Sequence, residues 1–460
     1  MHLANLTTAG IKRFFGLVLS VSISSFASAQ ENSPYSRYGI GDIVPNQNIV
    51  NRGMGGIAAG YTNPNIGDQK YVTPAFLFQS INLVNPASLG GLNNTVLDIG
   101  GEVDIRTLKS NSSPAKYTAT NTLISYLQLG FPLASEKMRK KGNYWGLSFG
   151  LRPVSRIGYK IEKNERIQPP NLNDSLNTLY EGSGGLNQVN IATGVKIKNF
   201  SFGINTGYSF GTRDYSTKLS FINDSVVYYK SNTEATSRFG GFFLNLGVQY
   251  LIKLKTGVLN LGAYGNLQQN LQAKKNNIDE TFTYDGAGGI ITIDTVSYNS
   301  DVSGRVKIPA TYGAGFTYQN NHWLFGFDFE TSNWKAYRFY GQRDAVQNSW
   351  VIRGGVQYYP AKESSATTKY WSFVKYRAGF YYGPDYIKLS DNRNAYAITG
   401  GASFPLTDLR RLRGEYVVLN TGFEFGAKGN KQTLSVRESI TRINIGISMN
   451  ARWFLKRSYD

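Results

Sequence analysis

From residue 95 onward the chain alternates apolar and polar positions with a period of two, the periodicity of a strand whose successive side chains point to opposite faces. The last segment is the clearest. Ile443, Ile445, Ile447, Met449, Ala451 and Trp453 share one face, while Arg442, Asn444, Gly446, Ser448, Asn450 and Arg452 share the other. At the start of the pattern Leu97, Ile99, Val103 and Ile105 oppose Asp98, Glu102, Asp104 and Arg106. Val417, Leu419, Phe423 and Phe425 likewise oppose Asn420, Glu424 and Lys428, and Trp323, Phe325, Phe327 and Phe329 oppose Asp328 and Glu330. One alternating strand also fits a soluble sandwich; its repetition along the chain, with faces that differ by charge, points to a transmembrane barrel with apolar side chains toward lipid.

About fourteen such segments are expected, near 95–107, 121–132, 143–163, 186–198, 199–213, 238–253, 257–275, 306–319, 322–333, 347–360, 370–384, 394–405, 413–428 and 440–455. The number is even, as in single-chain bacterial barrels, and each segment is long enough for a tilted strand to cross a bilayer. Links after even-numbered strands are mostly short, around Asn199, Lys255 to Gly257 and Gln319 to His322. Links after odd-numbered strands include the long polar stretches 214–237 and 276–305, expected as outer loops. Two inner links are basic, with Lys137, Arg139, Lys140 and Lys141 in one and Arg410, Arg411 and Arg413 in the other, and read as solvated turns. Trp453 and Phe454 end the last strand where an interfacial aromatic girdle is expected.

Composition sharpens this picture. The chain of 460 residues has 31 Tyr, 26 Phe and 50 Gly, and no apolar run after its N-terminus is long enough for a membrane-spanning helix. At the N-terminus, Lys12 and Arg13 precede an apolar run from Phe14 to Phe26 that ends in Ala27, Ser28 and Ala29, which reads as a signal peptide over 1–29 cleaved near Ala29. With no cysteine there is no lipoprotein anchor, disulfide or thiolate metal site. The net charge of +19 is spread over the sequence rather than gathered in one stripe. Together with export, that excludes a nucleic-acid partner and suits basic rims facing the lipid and lipopolysaccharide of an outer membrane.

Residues 30–93 lack sustained alternation and are rich in Gly, Pro, Asn and Ser, so turns and short elements are expected. Phe76, Phe78, Ile81, Leu83 and Val84 give this segment more apolar mass than a solvated linker carries. A fourteen-strand barrel encloses more space than its side chains fill. Residues 30–93 are therefore expected as a hatch, or plug, in the lumen of an all-β, antiparallel barrel formed by residues 94–460.

Within the hatch, Gly53-Met54-Gly55-Gly56 and Asn85-Pro86-Ala87 resemble the glycine-rich and N-P-A elements of the FadL-type long-chain fatty-acid transporter family. Ile308-Pro309-Ala310-Thr311-Tyr312, Gly315, Trp323, Phe327-Asp328 and Trp334 are similar to its proline-containing strand and following hairpin. The opening Ser33-Pro34-Tyr35-Ser36-Arg37-Tyr38-Gly39 and the short basic tail resemble Bacteroidota members. The resemblance spans the mature chain. It implies a hatch with Gly53, Gly55, Gly56, Asn85, Pro86 and Ala87 as its motif, capture of apolar, fatty-acid-like ligands from outside, and sideways release beside a kinked third strand. Pro153 falls inside the third strand, where it cannot donate a ladder hydrogen bond; a lateral gap and an ordinary bulge are both open readings of it.

Catalytic chemistry has little to build on. His322 is the only histidine after the signal segment, reads as a solvated turn residue, and has no converging partners for a triad or ligand cluster. The acids Asp98, Glu102, Asp104, Asp328, Glu330 and Glu424 are accounted for by alternation, and the loop acids Asp279 and Glu280 lack calcium-loop spacing. No enzyme activity, metal or cofactor is expected, and the ligand-binding residues are not legible. The expected function is outer-membrane transport of hydrophobic compounds; the alternative is a non-transporting subunit of an envelope complex such as type IX secretion or a barrel-assembly accessory, and the hatch disfavours an open porin.

Overall fold

The computed structural model describes residues 33–63, 78–110, 116–167, 174–222, 228–285, 287, 289–361, 369–389, 393–407, 415–429 and 436–451. The expected signal segment 1–29, Phe76 of the expected hatch, the basic residues Arg410, Arg411 and Arg413, and Trp453 and Phe454 lie outside the described residues.

Period-two alternation produces strands almost throughout. They are β1 (Asp42–Ile43), β2 (Thr95–Lys109), β3 (Lys116–Pro132), β4 (Asn143–Ile167), β5 (Asp174–Ile197), β6 (Phe200–Ile222), β7 (Lys230–Lys253), β8 (Val258–Asn266) and β9 (Gln269–Tyr284). Then follow β10 (Ile290–Ile308), β11 (Thr311–Gln319), β12 (Trp323–Ser332), β13 (Arg338–Phe339), β14 (Ser349–Tyr358), β15 (Lys375–Pro384), β16 (Asn394–Pro405), β17 (Tyr416–Lys428) and β18 (Arg437–Ala451). Antiparallel neighbours pair in chain order, and β18 pairs with β2 from Arg437↔Lys109 to Ala451↔Thr95, so the wall closes on itself. It is a closed barrel of 14 strands, in which β8 with β9, and β10 with β11, each occupy one position. A closed antiparallel wall with an apolar outer band belongs in the outer membrane.

The faces sort as the alternation predicts. Ile445, Phe423, Phe425, Trp323, Phe325, Phe327 and Phe329 are exposed outward, whereas Asp98, Glu102, Asp104, Arg106, Asp328, Asn420, Glu424, Arg442 and Asn444 are buried. Their burial inside a wide barrel means that something other than water fills the lumen.

Three expectations change. The stretches 257–275 and 306–319 are each interrupted, between Asn266 and Gln269 and at Pro309-Ala310, where proline cannot donate to the ladder. The strand expected over 370–384 starts at Lys375, after a 3₁₀ turn over Tyr370–Phe373. Most importantly, 214–237 and 276–305 are largely strand rather than loop, because β6, β7, β9 and β10 run on beyond the apolar band, and Asp279 and Glu280 sit within β9. There the pairing of β4, β5, β6, β7, β9 and β10 continues upward as an extension of the wall. Backbone hydrogen bonds and cross-strand polar pairs hold it, without a greasy face to betray it in the sequence. Glu181, for example, is 3.0 Å from Lys218 and 3.3 Å from Lys160. Burial works against its charge, but hydrogen bonds from the two lysines outweigh that and hold its carboxyl below the usual range.

The register of the extension is testable in a chain without cysteines. Ser216 and Glu234 are direct partners on β6 and β7. The Ser216→Cys, Glu234→Cys double variant is expected to form an intramolecular disulfide under mild oxidation, read by peptide mass. A pair that stays reduced while the barrel is folded would show that this stretch is loop.

Candidate functional site

Residues 33–63 and 78–94 are mostly buried and lie against the inward-facing side chains of the wall. A single helical turn, Ile49–Arg52, starts where the Asn48 side chain accepts from the Asn51 amide at 2.9 Å. It is followed by Gly53-Met54-Gly55-Gly56. Gly55 and Gly56 have φ of +69° and +85°, a region that favours glycine. A Cβ on Gly55 would lie 2.6 Å from the Gly354 carbonyl oxygen, so this backbone rests directly on the wall. Asn85 opens a 3₁₀ turn over Pro86–Gly91. Its amide donates to the carbonyls of Ala59 at 2.7 Å, Val248 at 3.2 Å and Ala263 at 3.3 Å, while its oxygen accepts from the Ala87 amide at 3.2 Å. The backbone of Pro86 and Ala87 lies against Gly203 of β6, where no other residue would leave room.

The wall's inward side chains complete the hydrogen bonding that this irregular segment cannot make with itself. The Asp328 carboxylate accepts from the amides of Ala58 at 2.6 Å and Ala59 at 2.8 Å. Thr399 accepts from Gly55 at 2.8 Å, and the Tyr126 hydroxyl accepts from Ile49 at 3.2 Å. In the other direction Gln249 donates to the Ala59 carbonyl at 2.9 Å and Asn260 to that of Gly60 at 2.6 Å. Ion pairs add to this clamp. Arg52 pairs with Glu102 and donates to Asn444 at 2.6 Å. Asp42 accepts from Arg106 at 2.6 Å and from Lys428 at 2.7 Å, and the Ser33 hydroxyl donates to Glu438 at 2.5 Å. Truncating one member of such a buried pair strands its partner, which costs about 3–5 kcal/mol.

Beside this clamp the wall is incomplete. The β3 and β4 ladder consists of six pairs, from Leu127↔Leu151 to Pro132↔Gly146, although both strands continue well past Leu127 and Leu151. Pro153 is the next outward residue on β4 after Leu151, and the β4 and β5 register shifts between Pro153 and Ser155. Proline has no N–H to offer and the shift turns the strand, so the bulge and the end of pairing coincide. The freed edge of β4 is taken by the luminal segment: Asp42↔Arg156 and Ile43↔Ser155 pair as β1, the Val44 amide donates to the Val154 carbonyl at 2.9 Å, and the Ser33 amide to that of Gly158 at 3.1 Å. Behind this edge lies a cavity of about 290 Å³ between luminal segment and wall. Its lining mixes Ile43, Val44, Val154 and Phe243 with Arg152 and Arg353.

The structure therefore brings Gly53, Gly55, Gly56, Asn85, Pro86 and Ala87 into one luminal body and places Pro153 at the end of the β3 and β4 pairing. Asp328, which alternation alone explained, is the acceptor for two amides of that body. The signal for it was its place in the motif after Phe327, opposite Gly315. His322 is not a freely solvated turn residue: it is half-buried, with Nδ1 2.7 Å from the Tyr359 carbonyl oxygen.

A family model described as BamG matches residues 11–460 of the chain. Among solved structures, the toluene transporter TodX of Pseudomonas putida is 14% identical with a TM-score of 0.53, covering 90% of this chain and 100% of its own. A FadL homologue of Pseudomonas aeruginosa is 13% identical, with the same TM-score of 0.53 and coverages of 90% and 100%. The monoaromatic hydrocarbon channel CymD is 15% identical, with a TM-score of 0.50 and coverages of 90% and 99%. At such identities the likeness is one of fold. No curated protein matches the chain.

Replacing Asp328 by Ala leaves two buried amides without an acceptor. With charged hydrogen bonds at roughly 1.5–3 kcal/mol each, the luminal segment is expected to loosen by about 3–6 kcal/mol. Hydrogen exchange at Ala58 and Ala59 should accelerate while the barrel keeps its heat-modifiable migration on gels. Unchanged protection of both amides would show that Asp328 does not hold the segment.

Proposed function

The chain belongs to the BamG family, and we propose that its barrel passes compact hydrophobic compounds across the outer membrane around a fixed hatch, with exit sideways between β3 and β4. The observation that carries this reading is the end of the β3 and β4 ladder at Leu127↔Leu151, next to a cavity that Val44 and Val154 help to line. Residues 30–93 act in it as the hatch, with the glycine-rich and N-P-A motifs fixing it to the wall. Outward-facing Leu151 and Ile124 flank the unpaired stretch, so an apolar compound leaving there meets lipid rather than water. The fold shared with channels described as carrying toluene and monoaromatic hydrocarbons supports the same direction. At about 290 Å³ the cavity lies at the small end of ligand sites. That suits a compact ligand better than an extended fatty acid.

A second reading, a non-transporting subunit of an envelope complex, draws on a different observation. The luminal segment already occupies the free edge of β4, and the tall extension of β4 to β7, β9 and β10 offers a broad protein-facing surface outside the membrane.

Two experiments separate these readings. The Pro153→Val variant restores an N–H and a strand-forming side chain at the bulge. It is expected to cut uptake of a radiolabelled monoaromatic compound by at least about tenfold with folding intact; unchanged uptake would remove the lateral route. Gentle extraction from native membranes, followed by mass spectrometry of both small molecules and proteins, is expected to find a bound apolar compound. A stoichiometric protein complex with no such compound would replace transport by the structural reading.

A further inference from the structure

On its outer flank the wall carries a second concavity, separate from the lumen: an open groove of about 1220 Å³ across β4, β5, β6, β7, β9 and β10. Its axis is one unbroken row of cross-strand partners, Arg156, Gly185, Thr212, Arg238, Lys274 and Ser303. The rows beneath it grade from polar to apolar. One step down, toward the membrane, Pro153, Asn187, Phe210, Gly240 and Gln272 are successive partners. Another step down, Leu151, Val189, Tyr208 and Phe242 are exposed outward, Phe242 at 78%. On β4 and β7 the cations Arg156 and Arg238 thus stand two steps on the same face above the outward apolar residues Leu151 and Phe242, roughly 13 Å along the strand. That is where acyl chains give way to headgroups.

Two features of the row point to an anionic occupant. Arg238 and Lys274 are direct cross-strand partners, and like charges placed directly opposite each other destabilise a sheet. Lys274 has a contact of 3.4 Å to Asp301, but both side chains are about two-thirds exposed, so that pair offsets little of the repulsion. Between Arg156 and Arg238 the row is lined by Gly185 and Thr212, so the floor there is mostly backbone, and beneath Arg238 the Tyr208 ring lies over Gly240. Three strand spacings, about 14 Å, separate Arg156 from Arg238. A headgroup broader than a single phosphate can lie on the glycine floor and meet cations at both ends.

We propose that this groove is a binding site for the phosphate-bearing glycolipid of the outer leaflet, with its phosphate held by Arg238 and Lys274 and its acyl chains laid along Val189, Tyr208 and Phe242. The site is independent of what passes through the lumen. It ties the outer extension to the bilayer surface from which it rises, and the glycolipid relieves the repulsion between Arg238 and Lys274.

Delipidated full-length protein, offered rough lipopolysaccharide, phosphatidylglycerol or phosphatidylcholine in separate titrations, tests this by native mass spectrometry. Lipopolysaccharide is expected to bind in preference to both phospholipids. The Arg238→Gln, Lys274→Gln double variant should bind it at least about tenfold more weakly, as the loss of two surface cations implies. The charge-preserving Arg238→Lys, Lys274→Arg variant should bind close to normally, as should a control changed at Lys160 and Lys163, further up β4. Undiminished binding by the Gln variant would overturn the site. Phosphatidylglycerol binding as tightly as lipopolysaccharide would overturn the glycolipid assignment, and equal binding of phosphatidylcholine would overturn the role of charge.

Discussion

A closed wall of fourteen strands turns one side of every strand toward a lumen wider than its own side chains can fill, and polar groups shut away from water there must find partners. This protein meets that constraint with its own N-terminal segment. The segment has few internal backbone pairs, and the wall supplies the rest. Asp328, Thr399 and Tyr126 accept from its amides, Gln249 and Asn260 donate to its carbonyls, and its own Asn85 donates to the Ala59 carbonyl. Side-chain amides and carboxylates on a regular lattice thus replace the neighbouring strand that an irregular chain cannot have. The same lattice explains why small residues recur on the inner face, since at Gly203 and Gly354 it is backbone that touches backbone.

How much of this was legible in the sequence depends on which force shaped each part. Where lipid lies on one side and a polar interior on the other, burial writes a period of two into the residues, and the wall strands from Thr95 to Ala451 could be read directly. Beyond the apolar band that asymmetry disappears. Ser216, Lys218, Thr233 and Glu234 form strands by backbone pairing without an apolar face, so composition made 214–237 look like loop. The motif residues Gly53, Gly55, Gly56, Asn85, Pro86 and Ala87 were visible as a pattern, but their purpose is contact with Gly203, Val248, Ala263 and Gly354 far along the chain. No local signal encodes such distant partners. Asp328 shows the limit well, because a lumen-facing acid is expected from alternation whether or not two amides await it.

Pro153 lies between these cases. Its chemistry predicts a flaw in pairing, and the flaw is present, but proline alone does not say on which side the neighbour is lost. Pairing with β5 survives through a register shift, whereas pairing with β3 ends. The difference comes from the luminal segment, which offers β4 an alternative partner in Asp42 and Ile43. The unpaired stretch of wall and the filled lumen are thus one arrangement. The N-terminal segment also satisfies the edge that the bulge leaves open, and the backbone cost of the gap falls accordingly.

That coupling limits how anything could cross. Arg52, Asp42 and Ser33 are tied to Glu102, Arg106, Lys428 and Glu438 on strands around the wall, so expelling the segment as a body would break several buried ion pairs at once. Displacing Val44 and Ile43 from the edge of β4 breaks only a few backbone bonds, near a cavity that already exists. Movement confined to Ile43 and Val44, which leaves the Asp42 ion pairs in place, is therefore far cheaper than movement of the whole segment. On the proposed reading a passage in this barrel opens at its side, and the cavity behind that edge sets the size of what can use it.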